Sequence, residues 1–184
     1  MAHEEEVTDE ALMLDLANGN EQAFPQLFAR WKAPLISYFY RSLNDYHRSE
    51  DMALMVASRV YAARNSYKVV SKFSTWLFRI AQNLLRDEYR KTSKKKEEAF
   101  HPELHYEIPV QTDSHSLSDM EEWLAHAISE LSPQERSLVL LVYQQDFTPS
   151  EAAEVLSIKP NHARVLLHKA RTYLSEKFRN HEQG

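Results

Sequence analysis

Two groups of side chains in this 184-residue chain have types and spacings suited to nucleic acid. The first is Arg79, Gln82, Asn83, Arg86 and Arg90, which recur every three or four residues and so share one helical face. Guanidinium groups grip phosphates, and Asn and Gln amides pair with base edges. Just upstream, RNSYKVVSKFSTW (64–76) interleaves cations with Tyr67, Phe73 and Trp76, a mixture that suits unstacked single strands. Trp76 reads more simply as a core anchor for the helix start. The second group is Arg164, His168 and Arg171, at i, i+4 and i+7 of a helix opening at Pro160, with Asn161 and His162 at its exposed start. Ala163, Leu166, Leu167, Ala170 and Leu174 fall on the other face and pack inward. A short helix, PSEAAEVL, and the turn Ser157-Ile158-Lys159 precede it, which is helix-turn-helix spacing.

Other chemistries find little footing. The chain has no cysteine, which excludes disulfides, cysteine-ligated zinc, iron–sulfur clusters and thiol catalysis. No glycine-rich phosphate loop, nucleophile elbow or HExxH string occurs. His101, His105 and His115, with Glu103 and Glu107, hint at a metal site, but Pro102 spoils the helix that such spacing needs, and HPELH reads as exposed linker. No catalysis, metal or cofactor is expected.

The elements that must position the two groups are helical. The only two glycines are Gly19 and Gly184, too few for the turns of a strand-rich fold. The expected fold is all-α: two small helical domains joined by an acidic flexible linker, the second containing the helix-turn-helix. The boundaries read as 1–95, 96–118 and 119–184. In the first domain one helix runs from Thr8 to Asn18-Gly19, and a second carries the stripe Phe24, Leu27, Phe28, Trp31 and Leu35, kinked or broken at Pro34. A third starts with Ser49 as N-cap, and a fourth runs from Ser74 to about Lys95, burying Leu77, Ile80, Ala81, Leu84 and Leu85. In the second domain Ser132-Pro133-Gln134-Glu135 and Thr148-Pro149-Ser150-Glu151 spell capping boxes with proline at the first helical position.

The net charge of −5 conceals segregation. Residues 86–96 carry six bases and two acids, residues 97–135 ten acids and no Lys or Arg, and residues 159–184 six bases and two acids. An acidic total does not preclude DNA binding, because phosphates respond to the field within a Debye length of about 8 Å. The apolar runs, such as LVLLVY (138–143), are too short to span a bilayer, and the acidic start is the reverse of a secretory signal; a cytoplasmic protein with no membrane contact is expected.

These pieces, in this order, resemble a bacterial RNA polymerase sigma factor of the extracytoplasmic-function (ECF) type. FSTWLFRIAQNLLRDEYRK (73–91) is similar to the family's region-two helix. LSPQERSLVLL (131–141) and PSEAAEVLSIKPNHARVLLHKARTYL (149–174) are similar to region four. The resemblance implies a transcription initiation factor that binds core RNA polymerase and directs promoter recognition and melting. Region two would bind the polymerase clamp and open the minus-ten element, flipping a base into the loop around 65–73. Asn83 and Asp87 match positions that help to read that element, with Arg79, Arg86 and Arg90 beside them. Region four would set the helix at 160–172, with Asn161, His162, Arg164, His168 and Arg171, in the major groove of the minus-thirty-five element. The acidic linker would thread toward the polymerase active site. A monomer is expected when the chain is free.

The chain departs from the family where the resemblance places core binding. Glu50 and Asp51 are present, but Leu54 and Met55 stand where a polar and acidic pair is usual, on a face that meets a basic part of the clamp. A phosphate on Ser58, or on nearby Ser49 or Ser66, would add about −1.5 to −2 charge there. Control by a Ser/Thr kinase would then stand in for the usual anti-sigma factor; the alternatives are an anti-sigma factor after all, an apolar contact of Leu54 and Met55 with a divergent partner, or Ser58 as a plain surface serine. Two rivals stand beside the sigma-factor reading: a sigma-like protein–protein interaction module that no longer engages polymerase, and a stand-alone helix-turn-helix regulator, which leaves the first domain without a task. In region four, Lys159, Asn161 and His162 stand where the family usually has a small or polar cap and a Gly-Thr pair, and Val165 and Leu166 replace a serine and a basic residue, so the promoter sequence does not carry over.

Overall fold

A computed structural model describes residues 7–98 and 119–182. The described residues form eight α-helices and no strand: α1 (Asp9–Ala17), α2 (Ala23–Leu43), α3 (Tyr46–Ala62), α4 (Phe73–Glu98), α5 (Asp119–Ser129), α6 (Pro133–Tyr143), α7 (Pro149–Leu156) and α8 (Pro160–Glu182), with a short 3-10 turn at Arg64–Ser66. The linker histidines fall outside the described residues.

Local chemistry explains most helix starts. The Thr8 hydroxyl accepts from the Ala11 N–H at 3.2 Å and caps α1. Both proposed capping boxes form, with Ser132 and Glu135 at α6 and Thr148 and Glu151 at α7. One sequence expectation needs correction and another is narrowed. The N-cap of α3 is Asp45, whose carboxylate accepts from Arg48 N–H at 2.9 Å; Ser49 lies inside the helix, fully buried, its hydroxyl donating to the Asp45 carbonyl at 2.6 Å. An ionised cap meets the helix dipole better than a hydroxyl does, and it draws the start back by one turn. Of the two outcomes expected at Pro34, a kink or a break, the break does not occur: α2 runs through it. The missing N–H costs one hydrogen bond, offset by Leu35, Tyr38 and Phe39 just beyond it, each with no accessible surface.

The N-terminal helices wrap one aromatic core. Leu12, Met13 and Leu16 of α1, Leu27, Tyr38 and Phe39 of α2, Met52 and Val56 of α3, and Phe73, Phe78 and Leu85 of α4 are buried together. Asp9 ties α1 to α2, accepting from Trp31 Nε1 and pairing with Arg30 Nη1, both at 2.9 Å. Burial pushes the Tyr38 phenol well above its ordinary value, and its O–H donates to Gln82 Oε1 at 2.6 Å.

The second group of helices shares that core. Leu138 and Leu141 of α6, Ala152, Ala153 and Leu156 of α7, and Ala163, Leu167 and Ala170 of α8 are buried in the same continuous cluster. Phe147 closes the seam: its ring meets Phe78 edge-on, centroids 5.3 Å apart, and is 6% exposed. Polar stitches surround the seam. Arg136 Nη1 donates to the Ser42 carbonyl at 2.7 Å, and Gln144 Nε2 donates to the Ser37 hydroxyl.

Candidate nucleic-acid and polymerase-binding surfaces

The basic stripe on α4 is narrower than its sequence spacing indicates. Asn83, Arg86 and Arg90 are exposed, and Asp87, half-buried, pairs with Arg90 one turn on. Gln82, placed on this face by sequence, is 6% exposed and belongs to the core through Tyr38. One helical step of 100° from Asn83 carries it under α2, where a long amide can satisfy a buried phenol. Arg79 lies at the edge, half-exposed, and is already engaged: it donates to the Glu154 carboxylate at 3.1 Å and to the Glu154 carbonyl at 3.3 Å.

The loop before α4 divides its residues between core and solvent. Tyr67 is buried, edge-on to Trp76 (5.0 Å) and Phe73 (6.1 Å). Trp76 is partly buried against the core, as expected of an anchor. Val69 and Val70, 54% and 85% exposed, form the tip. The start of α4 is held by α1, whose Glu10 carboxylate accepts from the Phe73 N–H at 2.7 Å.

Lys72 reaches across to α7 and pairs with Glu151 at 2.7 Å. Glu151 therefore serves twice, as capping-box glutamate and as the cross-seam anion. Lys72, then the Thr148 N–H and hydroxyl, hold its carboxyl down at about 2 from an ordinary 4.5. Sequence reasoning saw only the cap, because a partner 79 residues away leaves no local trace. A depressed carboxyl contributes its full stabilisation above its unfolded value and loses it as pH falls toward the folded value. The seam should accordingly loosen on acidification from about pH 4.5 toward 2. Small-angle scattering across that range should show the onset of expansion moved to higher pH by Lys72→Met, and an unmoved onset would count against this anchor.

In the helix-turn-helix, Ser157 takes the left-handed conformation (φ 57°) that ends α7, and α8 opens three residues later, at Pro160. Ala163, Leu167 and Ala170 are buried, while Asn161, His162, Arg164, His168 and Arg171 are all exposed. Arg164 bonds only weakly to Asn161, at 3.3 Å. This face stays open although the two helical groups are packed together; the seam uses α5, α6 and α7.

On α3, Asp51, Leu54, Met55 and Ser58 are exposed along one face, with Leu54 56% and Met55 38% exposed; Glu50 is half-buried. Arg48 lies 3.9 Å from Asp51 and forks onto Glu88 of α4 at 2.9 and 2.6 Å. A groove of about 530 Å³ lies between α3 and α4, lined by Met52, Met55 and Leu84 with a mixed charged rim: Arg48 pairs with Glu88 and Arg90 with Asp87, and Arg59 and Lys91 add further positive charge. Of the three serines, Ser58 and Ser66 are exposed; Ser49 is not, so a kinase could reach it only after α3 unfolds.

No helix among the described residues is long and apolar enough to cross a membrane, and none of them form a group of three or more His, Cys, Asp or Glu able to hold a metal.

Comparison with known proteins agrees with this arrangement. Residues 27–95 match the Sigma-70 region 2 model and residues 121–174 the Sigma-70, region 4 model. The chain is 26% identical over 174 residues to the ECF RNA polymerase sigma factor SigW of Bacillus subtilis, covering 88% of this chain and 92% of SigW. It is 26% identical over 152 residues to SigM of the same organism, covering 81% and 91%. Its fold is similar to that of the sigma factor RpoE solved in complex with the anti-sigma factor NepR from Bartonella quintana, with TM-score 0.72, 18% identity, and 86% and 98% of the two chains covered. It is also similar to CnrH solved with the cytosolic domain of CnrY, with TM-score 0.70, 22% identity, and 94% and 97% covered. With α2–α4 matching Sigma-70 region 2, α5–α8 matching region 4 and likeness to SigW and SigM over 88% and 81% of the chain, the chain belongs to the ECF type of RNA polymerase sigma factors.

Proposed function

We propose that this sigma factor directs core RNA polymerase to promoters by two contacts: the α4 stripe of Asn83, Arg86, Asp87 and Arg90 on the minus-ten element, and the exposed face of α8 on the minus-thirty-five element. The observation that carries this reading is the pairing of two exposed basic faces, on α4 and α8, each supported by a buried apolar face in a region-two and a region-four fold. Arg79 joins the first contact only when its side chain leaves Glu154, a half-exposed pairing that a change of rotamer can break. The domains then act as units of about 1–95 and 119–184, with the segment between them spanning the polymerase.

Core binding is the step that needs help. The face of α3 that would meet a basic clamp offers Leu54 and Met55, and its one exposed acid, Asp51, lies beside Arg48. Ser58, exposed one turn beyond Leu54, is where a Ser/Thr kinase would restore negative charge; Ser66 is the second candidate. The test is binding of the purified, unmodified chain to bacterial core polymerase, beside Leu54→Gln/Met55→Glu and Ser58→Glu variants. Tight binding by the charged variants alone supports the switch. Tight binding by the unmodified chain discards it and leaves an ordinary sigma factor. Binding by none favours a module that engages only a protein partner, such as an anti-sigma factor.

A further inference from the structure

The recognition helix carries an apolar side chain where water would ordinarily meet a polar one. Val165 is 65% exposed, the most exposed of the large hydrophobic residues in α5–α8. Its direction follows from helical geometry. Ala163, Leu167 and Ala170 point into the core, and at 100° per residue Asn161, Val165, His168 and Thr172 form the stripe diametrically opposite. Arg164 and Arg171 lie to one side of that stripe, one above the other across two turns. If α8 enters a major groove, the opposite stripe faces the base edges and the flanking arginines face a phosphate strand. The burial pattern leaves Val165 at the middle of the base-facing stripe, with polar groups before and after it.

Resting on the promoter-binding reading above, we infer that Val165 is a specificity-determining residue that reads the 5-methyl group of a thymine in the minus-thirty-five element. Among the four bases only thymine presents an apolar group in the major groove, and small apolar side chains recognise it by contact. Valine has no donor or acceptor, so it cannot read a base any other way. As a β-branched residue on an exposed helical face it also carries a small helix-propensity penalty and gains no burial in the free chain. Burial against a methyl group on DNA would supply what the free protein lacks.

The experiment starts by selecting sites from a randomised duplex library with the full chain on bacterial core polymerase, carrying Leu54→Gln/Met55→Glu where the unmodified chain does not bind it. Each thymine of the enriched minus-thirty-five element is then replaced singly by deoxyuridine, which keeps all base pairing and removes only the methyl group. The native chain should lose affinity about fourfold at one position, the worth of one buried methyl group. Val165→Ala, at an exposed site that tolerates the change, should lose most of that discrimination, because its single methyl group buries less against the thymine methyl. A native chain that binds its selected duplex but senses no methyl group would overturn the inference and leave promoter binding by α8 intact. Methyl sensitivity that persists undiminished in Val165→Ala would overturn it by assigning the contact elsewhere. Failure to enrich any duplex would remove the promoter-binding reading and this inference together.

Discussion

Arg164→Ala combined with Arg171→Ala is expected to weaken duplex promoter binding roughly a hundredfold, taking about 1.4 kcal/mol, or tenfold, for each lost guanidinium contact. Both side chains are exposed, lie two turns apart on one flank of α8, and have no packing role that their removal would disturb. Their loss should therefore leave folding unchanged, which a thermal melt can verify. The more telling quantity is the salt dependence. Each phosphate contact releases counterions worth about 0.9 in the slope of log affinity against log salt, so the double variant should lower that slope by about 1.8. Titrations of labelled duplex across a range of salt would measure both. A fall in affinity with an unchanged slope would mean that the arginines touch bases or other protein rather than phosphates. An unchanged affinity would remove α8 from the interface.

Phe147→Ala should have the largest effect on the architecture. The ring is 6% exposed and stands edge-on to Phe78, in the seam that joins the two helical groups. Truncating a buried phenylalanine costs about 3–5 kcal/mol, partly lost burial and partly the cavity left behind. The ion pairs on either side cannot hold the seam alone. Lys72 is 71% exposed, and Arg79 and Glu154 are each nearly half-exposed, so they sit in the range where an ion pair contributes about 0–1 kcal/mol. The variant is expected to expand in solution scattering while retaining its helix content by circular dichroism. Phe78→Ala should do the same, and the double variant should add little to either, because one ring without the other has already lost the contact. Expansion with retained helix would show that the seam is held by this aromatic pair. A compact variant would show that the hydrogen bonds of Arg136 and Gln144 to α2 suffice. In the expanded variant Arg79, freed from Glu154, would be available to nucleic acid, and promoter affinity in the presence of core polymerase should rise rather than fall.

The sequence by itself determined what is settled within one or two helical turns. Capping boxes at Ser132 and Thr148 involve a side chain and an N–H three residues apart, and both formed as spelled. The inward stripe of α8, repeating every three to four residues, located the buried face and so the exposed Asn161, His162, Arg164, His168 and Arg171. The all-helical class and the order of the two regions were legible for the same reason. The departures also have local explanations. Ser49 and Asp45 are both good caps, and only the position of α3 against its neighbours selects the earlier one. At Pro34 the helix does not break, because the packing beyond it outweighs the lost hydrogen bond.

What the tertiary structure alone decided depends on residues far apart in the chain. Gln82 is withdrawn from the basic stripe by Tyr38, 44 residues earlier. Lys72 and Arg79 are engaged by α7, 79 and 75 positions away. No periodicity carries such pairings, since the sequence specifies which faces are apolar but not which faces meet. Bringing Phe78 against Phe147 makes that choice. It leaves the face of α8 with Arg164, His168 and Arg171 open to solvent and folds the edge of the α4 stripe into the seam, because burying two aromatic rings outweighs leaving one surface arginine free.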